Sequence, residues 1–169
     1  MNTINYKWCT PIDSSSLTEI TELFVGNVSK IYISHGEVID GRANNMNDWK
    51  ANIKAIMKEE FSDAMVNTFE MQNTFTKLSI ALLDEKIIAL ALVSFYPKTK
   101  IAILCDIIVD ASFRGQKIGE SMLKWIETEI KLWGAKFIFL ETGLQNKSAH
   151  HFFENRGFKA TSVVMVKNI

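Results

Sequence analysis

The densest group of residues that could do chemistry lies between Asp106 and Gly119, where the sequence reads DIIVDASFRGQKIG. The pattern predicts a buried strand that leads through a glycine-containing turn into an amphipathic helix. The free amides and the dipole of a helix start attract an anion, and glycine lets a bulky anion approach the main chain. Arg114 and Lys117 add positive charge. The spacing fits neither a Walker loop nor the dinucleotide fingerprint, so it predicts an anion site of another kind.

A second informative stretch runs from Leu140 to Phe158. Together the two stretches resemble the hallmarks of the GNAT acetyltransferase superfamily. The first hallmark is an acyl-CoA pyrophosphate loop, Arg/Gln-x-x-Gly-x-Gly/Ala, which Arg114 and Gly119 match and to which Gly115 adds a frequent second-position glycine. Lys117 stands where the family has glycine, and we expect this departure to weaken but not abolish binding. The second hallmark is a strand ending in Leu-Glu, followed by Asn-x-x-Ala, an aromatic pair and Gly-Phe.

The resemblance covers the chain from Leu78 to Ile169, and the N-terminal part only by its order of elements. It implies acetyl-CoA as the cosubstrate, lying between two splayed strands that end at Val109 and Glu141. Main-chain groups of the first strand would pair with pantetheine and stabilise the thioester oxygen, although the same amides could be ordinary sheet partners. The cofactor-binding residues that the resemblance implies are Ile107, Ile108, Val109, Arg114, Gly115, Gln116, Lys117, Ile118, Gly119, Glu120, Asn146 and Phe153.

Two carboxylates are candidates for the general base that direct transfer to an amine requires. Glu141 is the first candidate, because its place at the end of a strand resembles that of the catalytic glutamate in the ribosomal-protein alanine acetyltransferase branch. In that branch the glutamate is the base, and a tyrosine twelve residues later is the acid. Here that residue is Phe153, so another group or bulk water donates the proton, or no acid is used. Phe153 would then line the CoA groove or lie in the core. Asp106, in an apolar strand, is the second candidate, and a hydrogen-bonded structural carboxylate is its alternative role.

Cys105 stands where the polyamine acetyltransferases carry a glutamate, so that branch's base is missing. A buried cysteine in a strand is usually inert, and an acyl-cysteine intermediate is only a third idea. His150 and His151 are neighbours on a predicted helix and cannot form the i, i+4 pair of zinc helices. We therefore expect no metal.

A polar loop around His35 also contains charged residues of both signs. Its acidic groups would attract a cationic amine, which makes the loop a candidate rim for the acceptor site. An ordinary solvated loop is the alternative interpretation. The residues concerned are His35, Glu37, Asp40 and Arg42.

Hydrophobic periodicity predicts the elements that position these residues. Apolar residues that recur every three or four positions predict a helix from Leu17 to Ile31 and another from Trp49 to Met65. Asn47 or Asp48 would cap the second helix. Apolar runs split by short turns predict antiparallel strands over 77–83, 87–95 and 100–109. In the remaining chain the predicted helices and strands alternate. The helices cover 117–133 and 146–155, and the strands cover 136–141 and 158–166. This order predicts a mixed α/β fold: two N-terminal helices, an antiparallel meander and then βαβαβ around a central mixed, partly splayed sheet.

Composition bounds the function classes. The chain has 169 residues, of which 47% are hydrophobic, enough for one globular domain with a real core. Nineteen basic residues balance nineteen acidic ones, which excludes the overall basic field that drives binding to nucleic acid or anionic lipid. Two distant cysteines cannot build a disulfide framework. The first residues lack a secretion-signal pattern, and no apolar run reaches the ~20 residues of a membrane span. We expect a cytoplasmic protein.

These observations predict a single N-acetyltransferase domain over 1–169, with a helical acceptor-side region over 1–70 and an acetyl-CoA-binding core over 76–169. The expected partner is a small-molecule amine, with a protein N-terminus second and a homodimer possible; no nucleic acid or membrane is expected. The competing hypothesis is a non-catalytic acyl-CoA-binding or regulatory module, which Lys117 and Phe153 favour. An unrelated α/β binding protein, which would not bind CoA, is a third.

Overall fold

The computed structural model of the protein describes residues 3–66, 74–167 and 169. The chain divides into two compact units, and each is formed by two separate stretches. The first unit contains Met1–Val28 and Asn52–Leu140, and the second contains Ser29–Ala51 and Glu141–Ile169. The predicted anion-binding turn therefore belongs to the first unit and Glu141 to the second.

The described chain contains seven strands and five α-helices. Three short 3-10 helices lie at Pro11–Ser16, Lys30–Tyr32 and Ala111–Phe113. In chain order the other elements are β1 (Asn5–Trp8), α1 (Leu17–Asn27), α2 (His35–Ile39), β2 (Ala43–Asn45), β3 (Asp48–Trp49), α3 (Ile53–Val66), β4 (Phe75–Leu83), β5 (Lys86–Tyr96), β6 (Ile101–Val109), α4 (Ile118–Leu132), β7 (Phe137–Leu140) and α5 (Lys147–Glu154).

The first unit is built on a five-stranded sheet of order β1-β4-β5-β6-β7. Its first four strands are antiparallel neighbours, and β7 is parallel to β6. The turn between β4 and β5 consists of Asp84 and Glu85, both with positive φ (48° and 66°). Two left-handed residues in a row give a tight hairpin whose twist matches that of the strands. The mixed sheet that the sequence predicts is thus confirmed.

Helices α1, α3 and α4 cover this sheet and bury its central strand. Every residue from Ile87 to Val93 in β5 is buried, which requires cover on both faces. Helices α1 and α3 pack against each other, with the Phe24 and Phe61 ring centroids 5.8 Å apart. Helix α4 packs on β5 and β6. Its Trp125 ring lies 5.0 Å from that of Trp8 on β1.

Strand β6 extends beyond its parallel neighbour. Strand β7 pairs with Ile101–Leu104 only, so in the described chain the segment Cys105–Val109 continues past its end. On the other side, Asp106 pairs with Leu92 and Leu104 with the next residue of β5. Cys105 is therefore the extra residue of a β-bulge, a feature that re-aims side chains near functional sites.

The second unit contains the helices α2 and α5 and the β2–β3 hairpin. Ser34 caps α2, and its N–H and hydroxyl both donate to Glu37 Oε2 at 2.6 Å, which forms a capping box. Asn146 caps α5. The Phe153 ring lies 5.0 Å from Phe152 and 5.4 Å from Phe158, in the small core of this unit.

The N-terminal half differs from the predicted pattern at element ends. The hydrophobic pattern does not predict strand β1. The first helix ends at Asn27 and not at Ile31, because Val28 has an extended backbone. The predicted cap at Asn47 or Asp48 is wrong, since Asp48 and Trp49 pair with β2 and the helix begins at Ile53. Turn-forming asparagines favour a hairpin there, and the apolar stripe of α3 does not reveal where the helix starts.

The predicted final strand over 158–166 is also wrong. The structure assigns no strand there, and Val163, Met165 and Val166 are all more than three-quarters exposed. A run of β-branched residues favours extended backbone, but a strand also requires a partner for its backbone groups. None of the described helices is long and apolar enough to cross a membrane.

Candidate functional site

Local hydrogen bonds shape the turn that follows β6. Asp110 Oδ1 accepts from the Ser112 N–H at 2.8 Å, and the Asp110 carbonyl accepts from the Phe113 N–H at 2.9 Å. The Ser112 N–H, aided by the charges of Lys86 and Arg114, lowers the pKa of the Asp110 carboxyl below its ordinary value. The carboxylate therefore stays charged at neutral pH and holds the start of the turn.

Two residues of this turn have a left-handed backbone. Gly115 has φ +78°, and a Cβ placed on it would meet no atom within 4 Å, so its main chain is open to a ligand. Lys117 has φ +62° and is the N-cap residue of α4. The chain thus bends directly before the first-turn amides of α4, which have no partners within the helix. A Cβ is strained in this conformation, which explains physically why glycine is usual at the position of Lys117.

The Arg114 side chain folds back on the protein. Its Nε donates to the Val109 carbonyl at 3.1 Å, and its Nη2 lies 3.3 Å from the carbonyl and 3.1 Å from the Oδ1 of Asn27. The guanidinium therefore braces the turn against the end of α1 as well as placing a positive charge there. Sequence reasoning missed Asn27, because nothing in its neighbourhood along the chain refers to the turn.

The remaining predicted residues of the turn differ in what they offer. Gln116, Lys117 and Glu120 are exposed, whereas the Ile118 side chain is buried in the core. Ile118 can therefore face an anion only through its main chain. Gly119 lies one residue further along the first turn of α4.

The predicted pantetheine-binding strand segment, Ile107–Val109, forms the end of β6 beyond β7. Ile108 is buried, and Ile107 and Val109 are half-buried. Asp106 directly precedes them and is only 1% exposed, on the same side of β6 as Leu104 and Ile108. This depth suits the structural role that the sequence left open for Asp106.

Glu141 is the residue after β7 and belongs to the second unit. Its Oε1 lies 2.7 Å from His35 Nδ1 and accepts from the Gly36 N–H at 2.9 Å. No described residue donates to Oε2, and 40% of the side chain is exposed. The carboxylate is thus held through one oxygen, on a side chain that is partly open to solvent. The sequence placed His35 in a candidate acceptor rim, but its contact with Glu141 has no sequence signal.

The predicted binding residues Asn146 and Phe153 have local roles in the second unit. Asn146 Oδ1 accepts from the Ala149 N–H at 3.3 Å and from the Ser148 hydroxyl at 3.0 Å, and so begins α5. Phe153 is buried and has no polar group to donate a proton. His150 Nε2 lies 3.2 Å from the Gly143 carbonyl, which ties α5 to the loop after Glu141.

The two cysteines have separate surroundings within the described part of the chain. Burial, and then the nearby Asp13 carboxylate, raise the pKa of the Cys9 thiol to about 12, so this thiol stays protonated. Cys105 Sγ lies 3.5 Å from Ser94 Oγ. Among the described residues, no three His, Cys, Asp or Glu side chains are grouped so that they could hold a metal ion.

Solved structures resemble this chain over nearly its whole length. A PaiA N-acetyltransferase from Thermoplasma acidophilum, solved with coenzyme A, superposes with a TM-score of 0.69 at 18% identity, covering 96% of this chain and 93% of that one. An aminoglycoside N-acetyltransferase, also with CoA, superposes with a TM-score of 0.65 at 13% identity, covering 100% and 96%. At these identities the likeness shows the fold.

Sequence comparison gives the family. An aminoalkylphosphonate N-acetyltransferase from Salmonella typhimurium is 37% identical over 54 residues, which are 32% of this chain and 35% of that protein. The chain spans about a third of the length of the curated relatives that it matches. The model of the acetyltransferase (GNAT) family matches residues 46–158, which include both the turn before α4 and Glu141. Both predicted hallmarks lie inside this match, and the chain belongs to the GNAT acetyltransferase family.

Proposed function

We propose that this chain transfers the acetyl group of acetyl-CoA to a primary amine of a small molecule by direct attack. Membership of the GNAT family supports acetyl transfer as the reaction class. The observation that carries the proposal is the state of Glu141, an exposed carboxylate fixed by two donors at Oε1 and without a described donor at Oε2. Such a group is oriented to accept a proton.

The turn before α4 fits the pyrophosphate of acetyl-CoA. The helix dipole, the amides of the first turn of α4 and the charges of Arg114 and Lys117 suit a multiply charged anion. The open face of Gly115 allows the main chain to approach it. Acetyl-CoA supplies the activated acetyl thioester, and the residues of the turn would bind and orient it.

Glu141 acts as general base in this proposal. Alkylamines have a pKa near 10 and are protonated at neutral pH, so the acceptor must lose a proton before its nitrogen can attack. Oε2 of Glu141 would take that proton, directly or through one water molecule. Main-chain amides of Ile107–Val109 would stabilise the negative charge that develops on the thioester oxygen. A thiolate leaves readily because alkyl thiols have a pKa near 8.5, which makes a general acid at Phe153 dispensable.

Asp106 remains the second candidate for the base. Its carboxylate is 1% exposed, so an amine would reach it only through a chain of water molecules or after local opening. Glu141 needs neither. If the Glu141 variant kept its full rate, Asp106→Asn would be the next substitution to measure.

A small amine is the proposed acceptor because of the relatives' names. One relative is named for aminoalkylphosphonates, and one structural neighbour for aminoglycosides. Both substrate classes are small molecules that carry primary amines. The balanced net charge of the chain also argues against a structured RNA acceptor, which favours a basic protein surface.

The test begins with cofactor binding, because binding requires no knowledge of the acceptor. Acetyl-CoA and free CoA are titrated calorimetrically into the protein and into Arg114→Ala. An amine panel then follows, with aminoalkylphosphonates, aminoglycosides, polyamines, amino acids and peptides with free N-termini. Acetylated products are detected by mass spectrometry, which identifies the acceptor directly.

The outcomes separate the hypotheses. Micromolar binding that Arg114→Ala weakens, with turnover of a small amine, supports the proposal. Binding without turnover of any amine would indicate a non-catalytic acyl-CoA-binding module. Faster acetylation of a peptide N-terminus would overturn the small-molecule acceptor, and the absence of CoA binding would overturn the proposal as a whole.

A further inference from the structure

Asn27, the last residue of α1, bonds to both ends of the turn that follows β6. Its Oδ1 accepts from the Ala111 N–H at 2.8 Å, at the start of the turn, and from Arg114 Nη2 at 3.1 Å, further along. Its Nδ2 donates to the Leu23 carbonyl at 2.8 Å within α1. Both polar atoms of the carboxamide thus have partners of the matching kind, which fixes the orientation of the amide.

The same contacts fix the guanidinium of Arg114. Its Nε and Nη2 are held by Val109 and Asn27, whereas Nη1 donates to none of the described residues. The carbonyl of Asn27 lies at the C-terminal end of α1, where the helix dipole favours a positive charge. Because the guanidinium is a rigid fork, holding two of its nitrogens also sets the direction of the third.

We infer that Asn27 is a positioning residue for acyl-CoA binding: it holds the turn and the Arg114 guanidinium in the arrangement that receives the phosphates. This inference rests on the proposed function. Asn27 itself need not touch the ligand. Its contribution is preorganisation, since a turn and a side chain that are already ordered lose less conformational entropy when the ligand binds.

The test is calorimetric titration of CoA into Asn27→Ala, Asn27→Asp and Arg114→Lys. Asn27→Ala should raise the Kd about tenfold, as expected when a hydrogen bond to a charged group is lost. Asn27→Asp keeps an acceptor for Ala111 and Arg114 but loses the donor to the Leu23 carbonyl and adds a negative charge, so its Kd should lie between the wild-type value and that of Asn27→Ala. Arg114→Lys keeps the charge but cannot bridge Val109 and Asn27, and should bind nearly as weakly as Arg114→Ala.

Three further measurements separate positioning from general damage. The Ala111 amide should exchange hydrogen faster in Asn27→Ala, because it has lost its acceptor. The losses of affinity in the double variant Asn27→Ala/Arg114→Ala should be less than additive, because Asn27 acts in part through its contact with Arg114. S-acetylpantetheine has the thioester without the pyrophosphate, and its KM should not change in Asn27→Ala.

Glu22→Gln is the matched control. It lies on the same helix and breaks an ion pair with Lys54 that does not involve the turn, so CoA binding should be unchanged. Wild-type binding combined with an unchanged Kd in Asn27→Ala, with additive losses in the double variant, or with full rescue by Arg114→Lys would overturn the inference and leave the proposed function standing. Failure of the wild-type protein to bind CoA would instead overturn the proposed function.

Discussion

The two oxygens of the Glu141 carboxylate have different surroundings, and this difference makes a sharp prediction at one residue. Glu141→Gln keeps the size and an oxygen for the Gly36 N–H but removes the basic carboxylate. We expect kcat to fall about 10²- to 10⁴-fold, the usual contribution of a general base, while the Kd for acetyl-CoA stays unchanged. Calorimetry and steady-state kinetics on one preparation measure both quantities.

Substitutions at two other residues serve as controls for Glu141→Gln. Glu154→Gln removes an exposed carboxylate on α5 in the same unit and should leave kcat unchanged. His35→Asn offers an amide donor near the place of Nδ1 and should preserve more activity than His35→Ala if His35 orients Glu141. A normal kcat in Glu141→Gln would remove Glu141 from the mechanism.

Lys117 carries backbone strain that a single substitution can relieve. A left-handed residue with a Cβ costs about 1–2 kcal/mol, and glycine costs about 0.5–1 kcal/mol in chain entropy. Lys117→Gly should therefore raise the free energy of unfolding by about 0.5–1 kcal/mol. Lys117→Ala removes the same charge but keeps the strain, so it should not stabilise. Chemical denaturation of both variants separates backbone from charge, and equal stabilities would contradict the strain at Lys117.

At the scale of elements, Gly143 controls how closely two segments of the second unit approach. A Cβ on Gly143 would lie 2.5 Å from the carbonyl oxygen of Ile31 and 2.6 Å from that of Ile33. Backbone atoms cannot rotate away, so one segment must move. Gly143→Ala should lower the free energy of unfolding by about 1–3 kcal/mol. Because the moved loop carries Glu141, kcat should fall as well.

Gly26 gives the matched control for that substitution. It lies in α1, and a Cβ there would meet no atom within 4 Å. Gly26→Ala should therefore stabilise the protein by about 0.5–1 kcal/mol through helix propensity alone. Thermal unfolding of the two alanine variants should give shifts of opposite sign. A shift of the same sign in both would mean that the close approach at Gly143 does not limit stability.

Acid stability is a property of the whole molecule, and the pKa shifts give its sign. The Ser112 N–H lowers the pKa of Asp110; at Asp13, burial raises the pKa, but donors from Lys7 and Thr10 outweigh burial and lower it. The folded pKa values thus lie below the ordinary 3.8, so both carboxylates stabilise the fold above that pH. This stabilisation should be lost as the pH falls through the lowered values.

Urea unfolding of wild-type protein and Asp13→Asn between pH 7 and pH 2 measures the effect. The variant should be less stable at pH 7, by no more than about 1 kcal/mol for a pair near the surface, and the difference should shrink below pH 3.8. Asp63→Asn, an exposed position on α3, serves as control. A difference that is constant over the whole pH range would contradict the shift at Asp13.

The sequence by itself determined the features that are local along the chain. The strand, turn and helix from Asp106 to Gly119 are contiguous, and hydrophobic period, glycine and charge all indicate the same structure. The antiparallel meander was predicted from apolar runs, and α4 from an apolar stripe, each within a single segment of the chain. The family is confirmed because its hallmarks are of this local kind.

Only the tertiary structure shows which residues hold the candidate site residues in place. Gly36 and Glu141 are 105 residues apart in the chain, and Asn27 and Arg114 are 87 apart. Such contacts follow from how loops close and how segments pack. Loop closure and packing leave no mark on the periodicity or the composition of a short stretch of sequence. The predicted final strand is wrong for the same reason. The β propensity is a property of the segment itself, whereas a partner strand must come from another part of the chain. The sequence therefore named the residues suited to bind an anion and to take a proton, and only the packed chain showed which residues hold them in place.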